Sequence, residues 1–313
     1  MAKSTGAKAE VRTKTTWKNA IKRDWQLYLL LLLPVALVLV FNYAAYPGLC
    51  IAFMDYKPIK GSAGSEWVGM EVFQKIFKDP DFLRALRNSI VFNLLDLMVG
   101  FPMPIILALM LNELRFMRFK KVTQTILYLP HFLSWVVLAA VVVNMVNLDG
   151  PVNQLLAALG LSKINFLGSN VWFRPLIIIT DVWKEFGYNS IVYLAAITGI
   201  DQSLYEAATM DGAGRFRKMW HITLPGMRMI IVLMAVLSLG NILNAGFDQI
   251  WNLISPQVYE TGDVIDTFIY RIGMIDAQFG PATAMGVFKS AVSCFFISVS
   301  YYLAYKLFDY RVF

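Results

Sequence analysis

The sequence predicts an all-α polytopic membrane protein with six transmembrane helices, and three observations carry that prediction. Of 313 residues, 58% are hydrophobic and only 16% charged, and the mean hydropathy is +0.56, too apolar for an ordinary soluble domain. Six runs reach the roughly 20 apolar residues that a helix needs to cross hydrocarbon with its backbone polar groups paired internally. The runs are also continuous rather than alternating: residues 27–40 are almost unbroken aliphatic, which excludes the strands of about 9–11 alternating residues that build a membrane β-barrel.

The predicted spans are residues 27–50, 88–111, 122–148, 172–196, 229–247 and 282–305. The first follows a basic leader with Lys18, Lys22 and Arg23. Its apolar run exceeds the roughly 7–15 residues of a signal-peptide core, and Ala44-Ala45 leads into Tyr46-Pro47 rather than a cleavage site, so it reads as a retained anchor. Lys and Arg collect on the cytoplasmic side of short connections. They are dense before residue 27, in Arg115, Arg118, Lys120 and Lys121 after span two, and in Arg215, Arg217, Lys218 and Arg228 after span four. The tails 1–26 and 306–313 and the loop 199–228 are therefore expected inside. The connection 248–281 carries Asp248, Glu260, Asp263, Asp266 and Asp276 against Arg271, and is expected outside as a loop. The connection 46–87 is expected outside too, with turn formers at Asp55, Pro58 and Gly61 and a short amphipathic stretch at 71–77.

The net charge of +7 is accounted for by basic residues at span ends and does not require nucleic acid. Cys50 and Cys294 lie in or beside apolar runs, form no metal-ligand or disulfide pattern, and read as small packing residues. No internal repeat is visible. The chain has no GxxxxGK[ST] nucleotide loop; residues 286–290 contain Lys-Ser without the preceding glycine spacing. HExxH, CxxC and Gly-x-Ser-x-Gly are missing as well, so an embedded enzyme has no constellation to stand on.

Between spans four and five the polar segment is patterned. Ser203-Leu204-Tyr205-Glu206 matches a capping box, predicting a helix from Ser203, with Gly212 supplying the turn that ends it. A second short helix follows, with Phe216 and Trp220 four apart on one face, flanked by Arg215, Arg217 and Lys218, and Pro225 separates it from span five. His221 is expected to be solvated.

Glu206-Ala207-Ala208, Gly212 and Ile222-Thr223-Leu224-Pro225 together resemble the EAA loop of ATP-binding-cassette importers, EAA-x3-G-x9-I-x-LP, where a membrane subunit meets its ATPase. Tyr56-Lys57-Pro58, Trp67-Val68-Gly69 and the run 129–135 (LPHFLSW) extend the likeness over most of the chain, to the carbohydrate branch of these permeases and the group linked to complex oligosaccharides and polysaccharides. The resemblance implies a type I importer bundle in a bacterial cytoplasmic membrane, with Glu206, Ala207, Ala208, Gly212, Ile222, Leu224 and Pro225 as the ATPase-coupling residues. It also implies a second related permease, two ATPase subunits that bind ATP and Mg in place of any cofactor on this chain, and an extracellular solute-binding protein. Asp201 stands where many relatives have proline, and aspartate is itself a good cap.

Ionisable residues within spans cost roughly 2.5–3.5 kcal/mol each on insertion scales, so Asp96, Asp181, Lys184, Glu185 and Lys289 are expected to face the interior, water or one another. An Asp181–Lys184 pair is the plainer expectation and a proton relay the sharper one. For a neutral sugar, aromatic faces and amides are better site material. Trp183, Tyr188, Asn189 and Tyr193 on span four and Asn241, Asn244 and Asp248 on one face of span five are the substrate-path candidates; the same asparagines equally suit helix-to-helix bonding. His131, after Pro130 in span three, reads as structural, its ring bonding a carbonyl freed by the proline kink. Two other functions stay open at this point: an ion-driven transporter using Asp96, Asp181 and Glu185, and an importer permease for a solute other than sugar.

Overall fold

The computed structural model describes residues 17–308. The expected tails therefore fall largely outside the described residues. Helix begins at Trp17 and ends at Phe308, inside the segments expected to be tails.

The first helical segment stands as its own unit. α1 (Trp17–Val38) continues into a wider π-turn at Leu39–Tyr43, and Pro34 lies inside it. Residues 27–40 are exposed along their length, as a membrane anchor requires. The second unit, from Ile51 onward, opens with a two-stranded antiparallel hairpin, β1 (Met54–Asp55) on β2 (Glu66–Trp67). α2 (Glu71–Lys78) follows and buries Val72, Phe73 and Ile76, the amphipathic stretch read from the sequence. Phe53 stacks on Trp67 and touches Phe73, so the hairpin and α2 share an apolar seam with Phe82, Phe268 and Met285.

The second span is α3 (Pro80–Val99), capped by the Asp79 carboxylate accepting from the Asp81 backbone N–H at 2.8 Å, and α4 (Pro102–Asn112) after a bend at Gly100. The third expected span is two helices rather than one. α5 (Met117–Tyr128) passes into a tight turn at Leu129–Phe132 and stops, and α6 (Trp135–Val146) starts afresh with the Ser134 hydroxyl accepting from the Val137 N–H. Pro130 cannot donate to the helix ladder and Ser134 caps the restart, so the proline breaks the span rather than kinking it. α7 (Pro151–Ala158) is held by Asn153, whose amide donates to three backbone carbonyls and accepts from the Ile164 N–H.

α8 (Phe173–Thr198) is the fourth span and the spine of this unit: α4 and α11 pack along it. Only five helical segments of the described residues are both long and apolar enough to cross a membrane. α8 has the length, 26 residues, but carries Arg174, Asp181, Lys184 and Glu185. The six-span reading holds because Arg174, Lys184 and Glu185 are partnered within the fold and Asp181 faces a polar cavity.

Span five differs from its expected extent. α9 (Gln202–Met210), α10 (Arg215–Lys218), a π-turn at Met219–Thr223 and α11 (Leu224–Gly240) follow one another, and residues Arg215–Gly240 run as a single helix. Pro225 therefore does not separate the second loop helix from the span; the wider turn before it accommodates the missing N–H and the ring. Nor does helix continue to residue 247. It ends at Gly240, and α12 (Phe247–Leu253) begins after Gly246, whose φ is +75°. The connection expected as an outer loop is folded: it contains α12, α13 (Tyr259–Gly262) and α14 (Ile265–Tyr270), and along it Ile250, Leu253, Val258 and Val264 are buried against Phe92, Val142, Phe173 and Ile177. Hydrophobic residues between its acids supply that core, and Asp263 is itself buried, paired with Arg271 at 2.6 Å. α15 (Phe279–Phe308) is span six, packed along α11. Cys294 is exposed and Cys50 half-buried, so neither serves as the buried packing residue expected of it within this chain.

One close approach sets the spacing of the spans. A Cβ built on Gly187 of α8 would lie 2.6 Å from the carbonyl carbon of Leu127 on α5, an obstacle of backbone rather than of a flexible side chain. Gly187→Ala is expected to destabilise by about 1–3 kcal/mol, the usual cost of overpacking. Gly286→Ala, a site with nothing within 4 Å, serves as the control. Thermal denaturation of the purified chain in one detergent checks the contrast, and equal stability of both variants would contradict this packing.

Candidate coupling surface and solute cavity

The loop between α8 and α11 is built by three local devices. Its first helix is capped by Asp201, not by the expected Ser203–Glu206 box: the Asp201 carboxylate accepts from the Ser203 backbone N–H at 2.9 Å. That hydrogen bond is also why the Asp201 carboxyl sits below the usual carboxylate range. Asp201 wins because it lies one residue before the helix, where its oxygen reaches the free N–H groups. The helix ends in a Schellman turn. The Ala213 N–H donates to the Ala208 carbonyl at 2.8 Å and the Gly212 N–H to that of Thr209 at 3.0 Å, with Gly212 at φ +74°. Two letters of the motif thereby gain a physical role, since Ala208 and Gly212 form the two arms of one turn. The third device is a brace between the loop helices: the Tyr205 and Thr223 hydroxyls meet at 2.9 Å, and Lys218 donates to the Thr209 hydroxyl at 3.2 Å.

These devices leave Glu206 exposed, with no hydrogen bond or ion pair among the described residues. It lines an open cleft of about 570 Å³ together with Tyr205, Arg215 and Lys218. Arg215 reaches Glu113 at the end of α4 at 3.6 Å, tying the loop to the bundle. Ala207 is exposed and Ala208 half-buried; Ile222 and Leu224 are half-buried in the π-turn and first turn of α11, and Pro225 lies next to them. Met210, Phe216 and Trp220 stand almost fully exposed, large apolar groups that soluble surfaces seldom display together. His221 is exposed, its Nδ1 3.0 Å from the Arg217 carbonyl.

At mid-span a cavity of about 240 Å³ opens between α3, α4, α8 and α11, lined by Asn93, Asp96, Asp181, Glu185, Asn189 and Tyr193 among others. A second, of about 190 Å³, shares Asn93, Asp96 and Asp181 and adds Asn244 and Gln249. Asn189, Tyr193 and Asn244 are thus brought together around the same carboxylates. Trp183 is exposed away from the cavity lining, and Tyr188 stacks on the His131 ring at 3.8 Å. Asn241, Asn244 and Asp248 do not share a helix face: Asn241 caps α11, its side-chain oxygen accepts from the Asn244 amide at 2.9 Å, and Asp248 is exposed in the first turn of α12. The break at residues 241–246 separates them. Asn93 and Gln249 were missed. Asn93 lies three residues before Asp96, the same spacing sought on span five, and Gln249 follows a glycine in the break; its amide bonds the Ile177 carbonyl and the Thr180 hydroxyl, both at 2.8 Å.

The charges of α8 are resolved differently from the expected Asp181–Lys184 pair. Lys184, buried, pairs with Glu185 at 2.9 Å and donates to the His131 carbonyl at 3.0 Å. His131 Nδ1 lies 2.8 Å from the other Glu185 oxygen. The carbonyl freed by the proline break is therefore taken by Lys184, and the histidine ring takes the carboxylate rather than a carbonyl. Asp181 is left facing the cavity. Lys289 meets Asp266 of α14.

The model of the family described as binding-protein-dependent transport system inner membrane component matches residues 100–313. The chain is 44% identical over 281 residues to the polygalacturonan/rhamnogalacturonan transport system permease protein YteP of Bacillus subtilis (strain 168), covering 90% of this chain and 88% of that protein. It is 43% identical to protein LplB of the same organism over 292 residues, 93% of this chain and 92% of that one. Among solved structures, it resembles a chain of a bacterial ABC transporter involved in import of the acidic polysaccharide alginate, with a TM-score of 0.86 and 42% identity over 93% of this chain and 98% of that chain. A structure of a bacterial alginate ABC transporter in complex with an alginate pentasaccharide-bound periplasmic protein matches with a TM-score of 0.87 and 41% identity, over 96% of this chain and all of that one. With the family model across well over half of its length, and relatives above 40% identity across nine-tenths of it, the chain belongs to the binding-protein-dependent transport system inner membrane components, as a permease subunit and not an enzyme.

Proposed function

We propose that this chain is one of two related permeases in an ATP-driven importer that takes up an oligosaccharide handed over by an extracellular binding protein. The observation that carries the coupling half of this reading is Glu206. A carboxylate left exposed and unpaired on a helix whose start, end and tilt are all fixed by local bonds is suited to a partner chain, as are the neighbouring Phe216 and Trp220. Carbohydrate as the solute is supported by the relatives, which serve polygalacturonan/rhamnogalacturonan, alginate, lactose (LacF of Rhizobium radiobacter, 31% identical over 240 residues) and arabinooligosaccharides.

Two ATPase subunits bind ATP and Mg and close on it, drawing together the loop helices of the two permeases. α9 and the α10–α11 helix move as a braced lever, and the spans rock about the mid-span cavity so that it opens alternately to either side. Carboxylates and amides in that cavity accept and donate to sugar hydroxyls. The cytoplasmic membrane of a bacterium is the setting, with both termini and the loop 199–228 on the ATPase side.

The test is hydrolysis by the complex reconstituted with its partner permease, ATPase and binding protein. ATP turnover is expected to rise when oligosaccharide-loaded binding protein is added, and labelled sugar to accumulate only with ATP inside. Uptake abolished by a protonophore at constant ATP would instead favour an ion-driven carrier built on Asp96 and Asp181.

A further inference from the structure

We propose that the smaller of the two mid-span cavities recognises its solute through hydrogens that the solute donates, that Gln249 is a specificity-determining residue there, and that the group received is an unsubstituted vicinal diol. This rests on the importer reading above and narrows which saccharide units fit. The cavity, of about 190 Å³, is lined by Asn93, Asp96, Asp181, Asn244 and Gln249 among others. It reaches Ile177 in the second turn of α8, whereas the larger cavity extends to Tyr193. The smaller one therefore lies toward the start of α8, away from the coupling loop that follows its end.

Gln249 is 2% exposed and spends both hydrogens of its amide inside the protein, on the Ile177 carbonyl and the Thr180 hydroxyl. The Thr180 hydroxyl itself donates to the Leu176 carbonyl at 2.8 Å, so it can only accept from Gln249, and a carbonyl can do nothing else. The nitrogen end of the amide is thereby fixed, and the oxygen is turned the other way. Gln249 Oε1 has no donor among the described residues. It lies beside the cavity-lining Gly246, where an added Cβ would sit 3.6 Å from it. Asn93 and Asn244 each commit one amide hydrogen, to the Ser89 carbonyl at 2.8 Å and to the Asn241 side-chain oxygen at 2.9 Å. Their oxygens, and the carboxylates of Asp96 and Asp181, likewise have no hydrogen bond or ion pair among the described residues.

The lining is thus two carboxylates and three amide oxygens against one spare hydrogen on each asparagine, a surplus of acceptors that the fold itself does not satisfy. In the larger cavity, by contrast, the Asn189 amide and the Tyr193 and Ser238 hydroxyls have no bond among the described residues and can donate. A vicinal diol carries two hydroxyls at about the spacing of the two oxygens of a carboxylate, and gives it two charge-assisted hydrogen bonds. Methyl or acetyl caps on that diol remove both donors and set ether or ester oxygens against acceptors, and a site built for a hydroxyl rejects analogues that lack it. A bare cation fits less well. It needs oxygens converging to about 2.0–2.6 Å, whereas this cavity has room for several waters at about 30 Å³ each, and the described residues hold no cluster of three or more His, Cys, Asp or Glu able to bind a metal.

The experiment titrates the complete reconstituted complex by saturation-transfer NMR with two probes, β-1,4-galactotriose, which has a free 2,3-diol on every unit, and its 2,3-di-O-methyl counterpart. The parent is expected to bind the free probe at least tenfold more tightly, the scale of lost hydrogen bonds to a charged group. Gln249→Leu is expected to weaken the free probe about three- to tenfold and to leave the capped one unchanged. That variant also removes two buried bonds, so Asn244→Ala, at an exposed position, is the second, with the same direction expected. Thr180 does not line the cavity and is a positioning residue: Thr180→Val frees one Gln249 hydrogen, and the ratio between the probes is expected to narrow. Equal binding of the two probes by the parent overturns the proposal, as do unchanged affinities in both Gln249→Leu and Asn244→Ala. Equal weakening of both probes by Thr180→Val, or binding of the free probe only when Na⁺ or Ca²⁺ is added, overturns it as well. ATP-driven uptake with the binding protein, measured on the same preparation, keeps the importer reading separate: uptake without diol selectivity leaves that reading standing, and failure of both overturns both.

Discussion

Glu206→Lys is expected to assemble normally and to lose coupling. Among the described residues the side chain makes no bond, and it does not cap its helix, which Asp201 does, so its replacement removes no contact of the described fold. Across an interface the effect is larger. Truncating one partner of a desolvated charge pair costs about 2–5 kcal/mol, and charge reversal at least as much, so binding-protein-stimulated hydrolysis and uptake are expected to fall by roughly 30-fold or more. Glu206→Gln should fall less, since it keeps a hydrogen-bonding group. Glu113→Gln, which breaks only a half-exposed pair with Arg215, should have a small effect, as surface ion pairs are worth about 0–1 kcal/mol. Sedimentation of the assembled complex separates coupling from assembly. Full stimulated hydrolysis in a normally assembled Glu206→Lys complex would remove this residue from the coupling path.

The sequence was most informative where physics is local. Span length, the amphipathic face of α2 and the Gly212 turn each depend on a few neighbouring residues, and the structure places them close to where the sequence does. The loop motif was legible as a pattern, but its start was not: Ser203-x-x-Glu206 satisfies the letter of a capping box, yet Asp201 lies nearer the free N–H groups and takes the role. The breaks within spans three and five escaped because hydropathy is blind to them. Residues 129–134 and 241–246 keep enough apolar side chains, Leu129, Phe132 and Leu133 in one and Ile242, Leu243 and Ala245 in the other, to pass within a long apolar window, and their backbone bonds are short turns such as Leu133 N–H to the Pro130 carbonyl and Asn244 N–H to the Asn241 carbonyl. The partners of the ionisable residues escaped for a different reason, that they are chosen across the fold. Lys184 has Asp181 one turn away and Glu185 adjacent, and the choice between them is made by His131, 53 residues back in the chain, which no spacing rule reaches.

That choice gives the second large effect. Lys184→Met keeps much of the side-chain volume but removes the cation that joins Glu185 to the His131 carbonyl, leaving a partly buried carboxylate and a freed carbonyl at the one place where span three has no helical ladder. Breaking a buried ion pair from one side costs about 3–5 kcal/mol; Glu185 remains about 29% exposed and keeps the His131 ring, which points to the lower end of that range. Glu185→Leu should cost a similar amount for the converse reason, an unpaired lysine that is only 9% exposed in an apolar setting. Because each single variant strands the other's charge, the double variant Lys184→Met/Glu185→Leu is expected to be less destabilised than the sum of the two, with a coupling of about 0.5–3 kcal/mol between them. Thermal unfolding of the four proteins in one detergent closes the cycle. Strict additivity would mean that the two side chains do not act on each other, and that Lys184 turns to Asp181 after all, which the matching cycle with Asp181→Asn would then reveal.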